Sequence, residues 1–127
     1  VEKTSTKAYY CPSTDTVQIP NRSQFPRIEE FYSTLFHELS HSTGHENRLG
    51  RKTLTEIAAF GSSEYGKEEL IAEFGASFLC GAAQIDNTTI KNSVSYIANW
   101  KKAIKADSKL VLQAAGMGQK AADYILG

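Results

Sequence analysis

His37 and His41 stand four residues apart, with Glu38 directly after the first histidine. On a helix, residues four apart share a face, so the two imidazoles can grip a single zinc ion. A carboxylate beside the first imidazole can take a proton from a water that the ion has made acidic. These three side chains together suit hydrolysis of a peptide bond, with Glu38 as general base. All three histidines of the chain, His37, His41 and His45, fall within this one short segment.

A catalytic zinc takes three protein ligands and keeps its fourth position for water, so one ligand is still to be found. His45 lies four residues beyond His41, past a helix end expected at Gly44. The metzincin spacing HExxHxxGxxH has its glycine at Gly44, but its last position is Asn47, a poor zinc ligand. The remaining arrangement, that of gluzincins, takes a carboxylate from the next helix. Glu69 is the expected third ligand and Glu73, one turn on, is its rival. With Glu69 as ligand, Glu73 is placed to accept the ring N–H of a ligating histidine. Glu68 points away from both and reads as a solvated or capping acid. The expected cofactor is one Zn2+ per chain. An oxyanion needs a donor besides the metal. Tyr65, one turn before Glu69, is a candidate, and so are His45 and Arg48. The strand Thr16–Ile19 is a further guess, as an edge for an extended peptide.

The elements that must position these groups follow from local pattern. Ala8–Cys11 and Thr16–Ile19 are β-prone and are separated by the turn residues Pro12–Asp15, which predicts a hairpin ended by Pro20. Ile28, Phe31, Tyr32, Leu35, Phe36 and Leu39 recur at helical spacing and predict a helix from about Arg27 to Thr43. His37 and His41 fall nearly opposite that stripe, beside the small Ser33 and Thr34. The stripe should therefore anchor the helix in the core while the histidines open to a polar cleft. Residues 46–66 read as a long connection with a helical turn near Leu54–Ala59. A second helix is expected from Lys67 to Ala82 with Leu70, Ile71, Phe74 and Phe78 inward. Glu69 and Glu73 share another of its faces with Ala76 and Cys80, and acids on so apolar a helix need a partner. Thr88–Ala106 and Ser108–Leu126 complete the count. Leu112, Ala115, Ala122, Tyr124 and Ile125 form the stripe expected of the last helix, and Gly116 and Gly118 are places for close packing. Asp86, Asn87 and Asp107 are cap candidates.

At 127 residues, with 41% hydrophobic and 22% charged residues, the chain has the size and composition of one soluble globular domain. Its formal net charge of zero argues against a nucleic-acid-binding module. Lys101, Lys102, Lys105 and Lys109 cluster, as a solvated helix face does. Cys11 and Cys80 lack metal-site spacing and are expected to be reduced, in a cytoplasmic protein. Neither a signal peptide nor a membrane span is expected. The chain begins at Val1 without a methionine, which points to a piece of a longer protein.

These residues resemble the polyvalent-protein metallopeptidase domain at the C-terminal end of ArdC-type antirestriction proteins. The likeness rests on Tyr9-Tyr10 with Asp15, on the run from Phe36 to His45, and on Arg48-Leu49. It continues through Phe60-Gly61-Ser62, Glu68 to Glu73, Phe78-Leu79-Cys80, Tyr96-Ile97 with Trp100, and Ala121 to Tyr124. The resemblance implies a zincin-like α+β fold, with a small N-terminal β-hairpin or sheet and about four helices. It also implies a metal held by His37, His41 and an acid of the second helix, and a bacterial mobile-element setting. The pattern Glu69-x-x-Ala72 is similar to the third-ligand helix of ImmA/IrrE regulatory peptidases, which favours Glu69 over Glu73. ArdC-type proteins carry an N-terminal single-stranded-DNA-binding domain that this chain lacks, so DNA binding does not carry over. The expected function is zinc-dependent peptide hydrolysis by residues 1–127 as one domain, on an unknown protein or peptide substrate. The alternative is a metal-stabilised protein-binding module that acts in antirestriction without cleavage.

Overall fold

The computed structural model describes residues 2–3, 7–55, 63–85, 105 and 107–127. Three strands, β1 (Glu2–Lys3), β2 (Tyr9–Cys11) and β3 (Thr16–Pro20), precede a 3-10 turn at Arg22–Gln24. Among the described residues four helices follow: α1 (Ile28–Ser42), α2 (Lys52–Thr55), α3 (Ser63–Ala83) and α4 (Ser108–Leu126). The expected α+β architecture holds. The helix expected over Thr88–Ala106 lies outside the described residues, apart from helical Lys105. Much of the turn expected at Leu54–Ala59 lies outside them too.

The hairpin forms because Pro12–Asp15 supplies a turn and Asp15 tolerates the left-handed backbone it requires, at φ 50°. Tyr9 pairs with Gln18, Tyr10 with Val17 and Cys11 with Thr16. β1 pairs parallel to β3, with Glu2 opposite Ile19 and Lys3 opposite Pro20. That pairing occupies the Ile19 end of the expected edge. The sheet order is β1-β3-β2, with β2 pairing along Thr16–Gln18 and β1 meeting only Ile19 and Pro20. A two-residue strand carries no alternation, so its sequence gives no sign of it.

α3 is the middle helix and packs against both α1 and α4. It is apolar on nearly every side, as a helix covered from two directions must be. Leu70, Ile71, Ala72, Ala76, Leu79 and Cys80 are all buried, and the core cluster joins Leu70 and Ile71 to Ala114 of α4. The buried face of α4 keeps Ala122 and Gly118 of the expected positions and otherwise differs from the expected one. It runs through Ala114, Gly118, Ala121 and Ala122, with Val111 and Met117 beside it, while Leu112 and Tyr124 are exposed. Small residues win this face because α4 comes close enough to α3 to exclude larger ones. A Cβ at position 118 would lie 2.6 Å from the Phe74 Cβ and 3.0 Å from backbone atoms of Ile71 and Gly75. Gly116 meets nothing and has no such role. Asp107 caps α4 as expected, accepting from the backbone N–H groups of Lys109 and Leu110 at 3.1 and 3.3 Å.

Gly118→Ala is therefore expected to destabilise the fold by about 1–3 kcal/mol through overpacking, although alanine is the better helix former by about 1 kcal/mol. Urea unfolding measures this. A variant at least as stable as the wild type would mean that the helices can part freely.

α1 departs from expectation in a way that matters for the site. Its aromatic stripe does not lead into the main core. Phe31 is buried against Phe25 and Tyr32, at ring separations of 5.6 and 5.2 Å, with the Arg22 guanidinium 5.0 Å above it. Ile28 is largely exposed. The face that packs on α3 is the opposite one, carrying Ser33, His37, Ser40 and His41, all buried. Small groups permit the approach. The Ser33 Oγ lies 3.6 Å from the Cys80 Sγ, and a Cβ on Gly75 would sit 2.4 Å from the Ser40 Oγ.

Candidate metal centre

Because α1 and α3 meet through serine, glycine and alanine, their longer polar side chains converge at one end of the interface. The His37 and His41 rings are perpendicular, with centroids 4.9 Å apart. The His37 Nε2 lies 3.2 Å from the Glu69 Oε2, and the His41 Nε2 lies 3.0 Å from the Glu69 Oε1. One ligand atom from each of these three residues falls within 4.8 Å of the others. Two imidazole nitrogens and a carboxylate this close form a donor set suited to one divalent cation.

The Nδ1 atoms face outward from that point, towards two other acids. The Glu73 Oε1 lies 2.9 Å from the His37 Nδ1, close in distance but off the direction of the ring N–H, so that this nitrogen lacks a well-aligned hydrogen bond. His41 is held differently. Its Nδ1 donates to the Glu68 Oε2 at 2.6 Å. Glu68 is therefore not a solvated or capping acid, because it is only 4% exposed and faces His41. Its carboxylate also receives the Arg51 Nε at 2.8 Å, the Arg51 Nη2 at 2.9 Å and the Thr53 hydroxyl at 2.7 Å. Arg51 had no place in the sequence reading. It follows the α1 turn without any periodicity, and only its contacts reveal it.

The charges follow from these contacts. Burial pushes His37 down, but Glu69 and Glu73 outweigh it and raise its pKa to about 10. Burial likewise lowers His41, and Glu68 and Glu69 overcome it to bring the pKa to about 9. Burial pushes Glu69 up, yet the two histidines hold it well below the usual carboxylate range. At neutral pH, then, both imidazoles are protonated and aim positive charge at one carboxylate, which is where a divalent ion would put its own charge. Because ligation needs neutral imidazole, binding must release those protons. Apparent metal affinity should rise with pH until both histidines are neutral, near pH 9 to 10, while the metal-free fold shows the opposite trend. Each histidine's folded pKa is raised above the unfolded 6.5, so its stabilisation is full below pH 6.5 and is lost as pH passes 9 to 10. Thermal unfolding with chelator and with metal across that range tests both. A metal affinity independent of pH would contradict this charge assignment.

Glu38 is 8% exposed and lines a cleft of about 140 Å³ with Tyr10, Pro12, His41, Thr53, Leu54, Glu68 and Glu69. Burial raises its pKa, and the opposing pull comes from His41, His37 and the Tyr10 backbone N–H. Tyr10 belongs to β2, so the sheet reaches the site along that strand. The Tyr10 hydroxyl donates to the Asp15 Oδ1 at 2.7 Å. Arg48 pairs with the same carboxylate and donates to the Ser42 carbonyl at 2.7 Å, which fastens the hairpin turn to the end of α1. Arg48 is thus committed to this clamp rather than turned towards the cleft.

The other candidates are placed less directly. The His45 Nδ1 accepts from the Asn47 backbone N–H at 3.1 Å, and the ring lines a neighbouring cleft with Pro12, Ser13, Glu46, Leu54 and Thr55. Tyr65 lies in α3, but its side chain is outside the described residues. Gly44 does not end α1 through a left-handed turn, because the left-handed glycine of this segment is Gly50 at φ 58°. Both cysteines are free thiols, Cys80 buried and Cys11 half-buried. No described helix is long and apolar enough to cross a membrane.

A family model described as zincin-like metallopeptidase matches residues 1–117. A DNA primase TraC of Escherichia coli is 37% identical over 121 residues, covering 94% of this chain and 11% of the primase. The uncharacterized protein y4eC of Sinorhizobium fredii is 33% identical over 119 residues, covering 94% of this chain and 38% of y4eC. Among solved structures, the Mn(II)-bound antirestriction ArdC protein from the R388 plasmid superposes with a TM-score of 0.79 at 35% identity, covering 98% of this chain and 45% of ArdC. Its metal-free form gives 0.77 at 34% identity. This chain spans less than half the length of each of these relatives.

Proposed function

Since this chain belongs to the zincin-like metallopeptidase family, we propose that it is a zinc-dependent peptidase domain of a larger bacterial mobile-element protein. The observation that carries this reading is the convergence of the His37 Nε2, the His41 Nε2 and both Glu69 oxygens beside a buried Glu38 in an open cleft. His37, His41 and Glu69 would hold the ion, with the Glu73 carboxylate beside His37. A zinc ion bound there would acidify a water molecule and polarise a peptide carbonyl. Two imidazoles favour zinc over manganese, although the similar ArdC protein was solved with Mn(II).

Glu38 supplies the proton transfers. Its carboxylate accepts a proton from the attacking water and returns it to the departing amine. Burial fits it for this, because a raised pKa makes it a better base once ionised. The Tyr10 backbone N–H steadies the carboxylate from the sheet side. Tyr65, whose side chain lies outside the described residues, and His45 are the proposed donors to the developing oxyanion.

The test is cleavage of an unfolded protein by the untagged chain. Chelation is expected to stop it, and about one equivalent of zinc to restore it. Absence of cleavage in every metal state would sink the peptidase reading and leave the metal-stabilised binding module, whose antirestriction role is so far that of the ArdC relative alone.

A further inference from the structure

We infer that Arg51 is the positioning residue of this site: acting through Glu68, it presets the His41 ring so that Nε2 faces Glu69. The inference rests on the proposed metal site and adds to it the means by which one ligand is oriented before an ion arrives.

The argument begins with the Glu68 carboxylate. It accepts four hydrogen bonds, two on each oxygen: Arg51 Nε and the Thr53 hydroxyl on Oε1, Arg51 Nη2 and the His41 Nδ1 on Oε2. Four is about the capacity of a carboxylate, so this one cannot turn. The short contact from the His41 Nδ1 makes that nitrogen the donor to Glu68 whether the ring is neutral or protonated. That leaves Nε2 as the nitrogen directed at Glu69, 3.0 Å from its Oε1.

Arg51 also fixes the backbone that carries His41. Its Nη2 donates to the Ser40 carbonyl at 3.0 Å and reaches the His41 carbonyl at 3.4 Å, both in the last turn of α1, where the Thr43 hydroxyl and the Gly44 N–H also bond to them. Its Nη1 donates to the Thr43 hydroxyl at 2.9 Å. One guanidinium therefore sets the position of His41 through the helix end and the rotation of its ring through Glu68. The planar fork is what makes both possible, and an ammonium could not copy it. Space for the guanidinium comes from Gly44, where a Cβ would lie 2.8 Å from the Arg51 Nη2 and 2.9 Å from its Cζ. Among the described residues His37 has no equivalent, since Glu73 approaches its Nδ1 off axis and is more exposed. The site is thus asymmetric, with His41 preset and His37 left to settle on the ion.

Cobalt(II) titration of the untagged chain reads this without reference to activity, because the visible bands report ligand geometry and a competing chelator reports affinity. In Arg51→Lys, which keeps the charge and loses the fork, affinity is expected to fall about 10–100-fold with altered cobalt bands. Gly44→Ala, which keeps every charged group and crowds the guanidinium, should move the bands in the same direction and decides the matter if Arg51→Lys does not fold. A folded variant with wild-type bands and affinity overturns the inference while the metal site stands. A wild type that takes up no cobalt overturns the metal reading, and the inference with it.

Discussion

Glu38→Gln is expected to lower peptide hydrolysis by about 10²–10⁴-fold while the protein keeps its metal. The amide is nearly isosteric, so the buried position, the cleft and the flanking histidines should be undisturbed. What is lost is the ability to accept a proton from water and pass it to the leaving amine. The change also removes a buried negative charge whose pKa burial already raises, so the fold should not suffer. Steady-state cleavage of an unfolded substrate, with metal content measured on the same sample, checks both halves. Unchanged turnover would remove Glu38 from the mechanism. Loss of turnover with antirestriction intact would favour the binding-module alternative for the parent protein.

Glu69→Ala is expected to weaken metal binding by more than the about 10–100-fold that changes around the ligands usually cost, whereas Glu73→Ala should fall within that range. Glu69 faces both Nε2 atoms at 3.0 and 3.2 Å, so among the described residues it is the carboxylate placed to complete a three-ligand set at their meeting point. Glu73 addresses the Nδ1 of one ring, from the far side. The substitution also removes the carboxylate that raises both histidines, so in metal-free Glu69→Ala their pKa values should drop, as NMR titration of the imidazoles would show. Equal losses in the two variants would make Glu73 a ligand and send the site back to the alternative left open by helical spacing.

Much of this centre was legible because its logic is local. The i, i+4 spacing of His37 and His41 puts them on one face wherever the helix goes, and a carboxylate is all that the next helix must add. The resemblance read from the Phe36–His45 run and its flanks is borne out by the family match and by the ArdC superposition. The α1, α3 and α4 helices were legible from apolar periodicity, and α4 from its Asp107 cap.

What was missed depends on how elements meet. Glu68 looked solvated because a helical wheel sets it about 100° from Glu69, yet α1 crosses so closely that both acids flank His41. Arg51 could not be found from α1 or α3, since it enters from the turn between them. The aromatic stripe of α1 looked like the core anchor because large apolar residues usually are, but here Ser33, Ser40 and Gly75 make the tighter interface. The same preference for small residues left Ala122 and Gly118 of the expected α4 face buried but put Leu112 and Tyr124 outside it. The polar side of a helix is the buried side when its polar groups have partners, and the sequence of α1 alone does not name them.

The most direct test of the central claim is metal content by mass spectrometry on untagged wild-type protein equilibrated with zinc. About one zinc per chain is the predicted result. No bound metal after zinc is supplied would contradict the account, leaving His37, His41 and Glu69 as a buried ion-pair cluster without an ion.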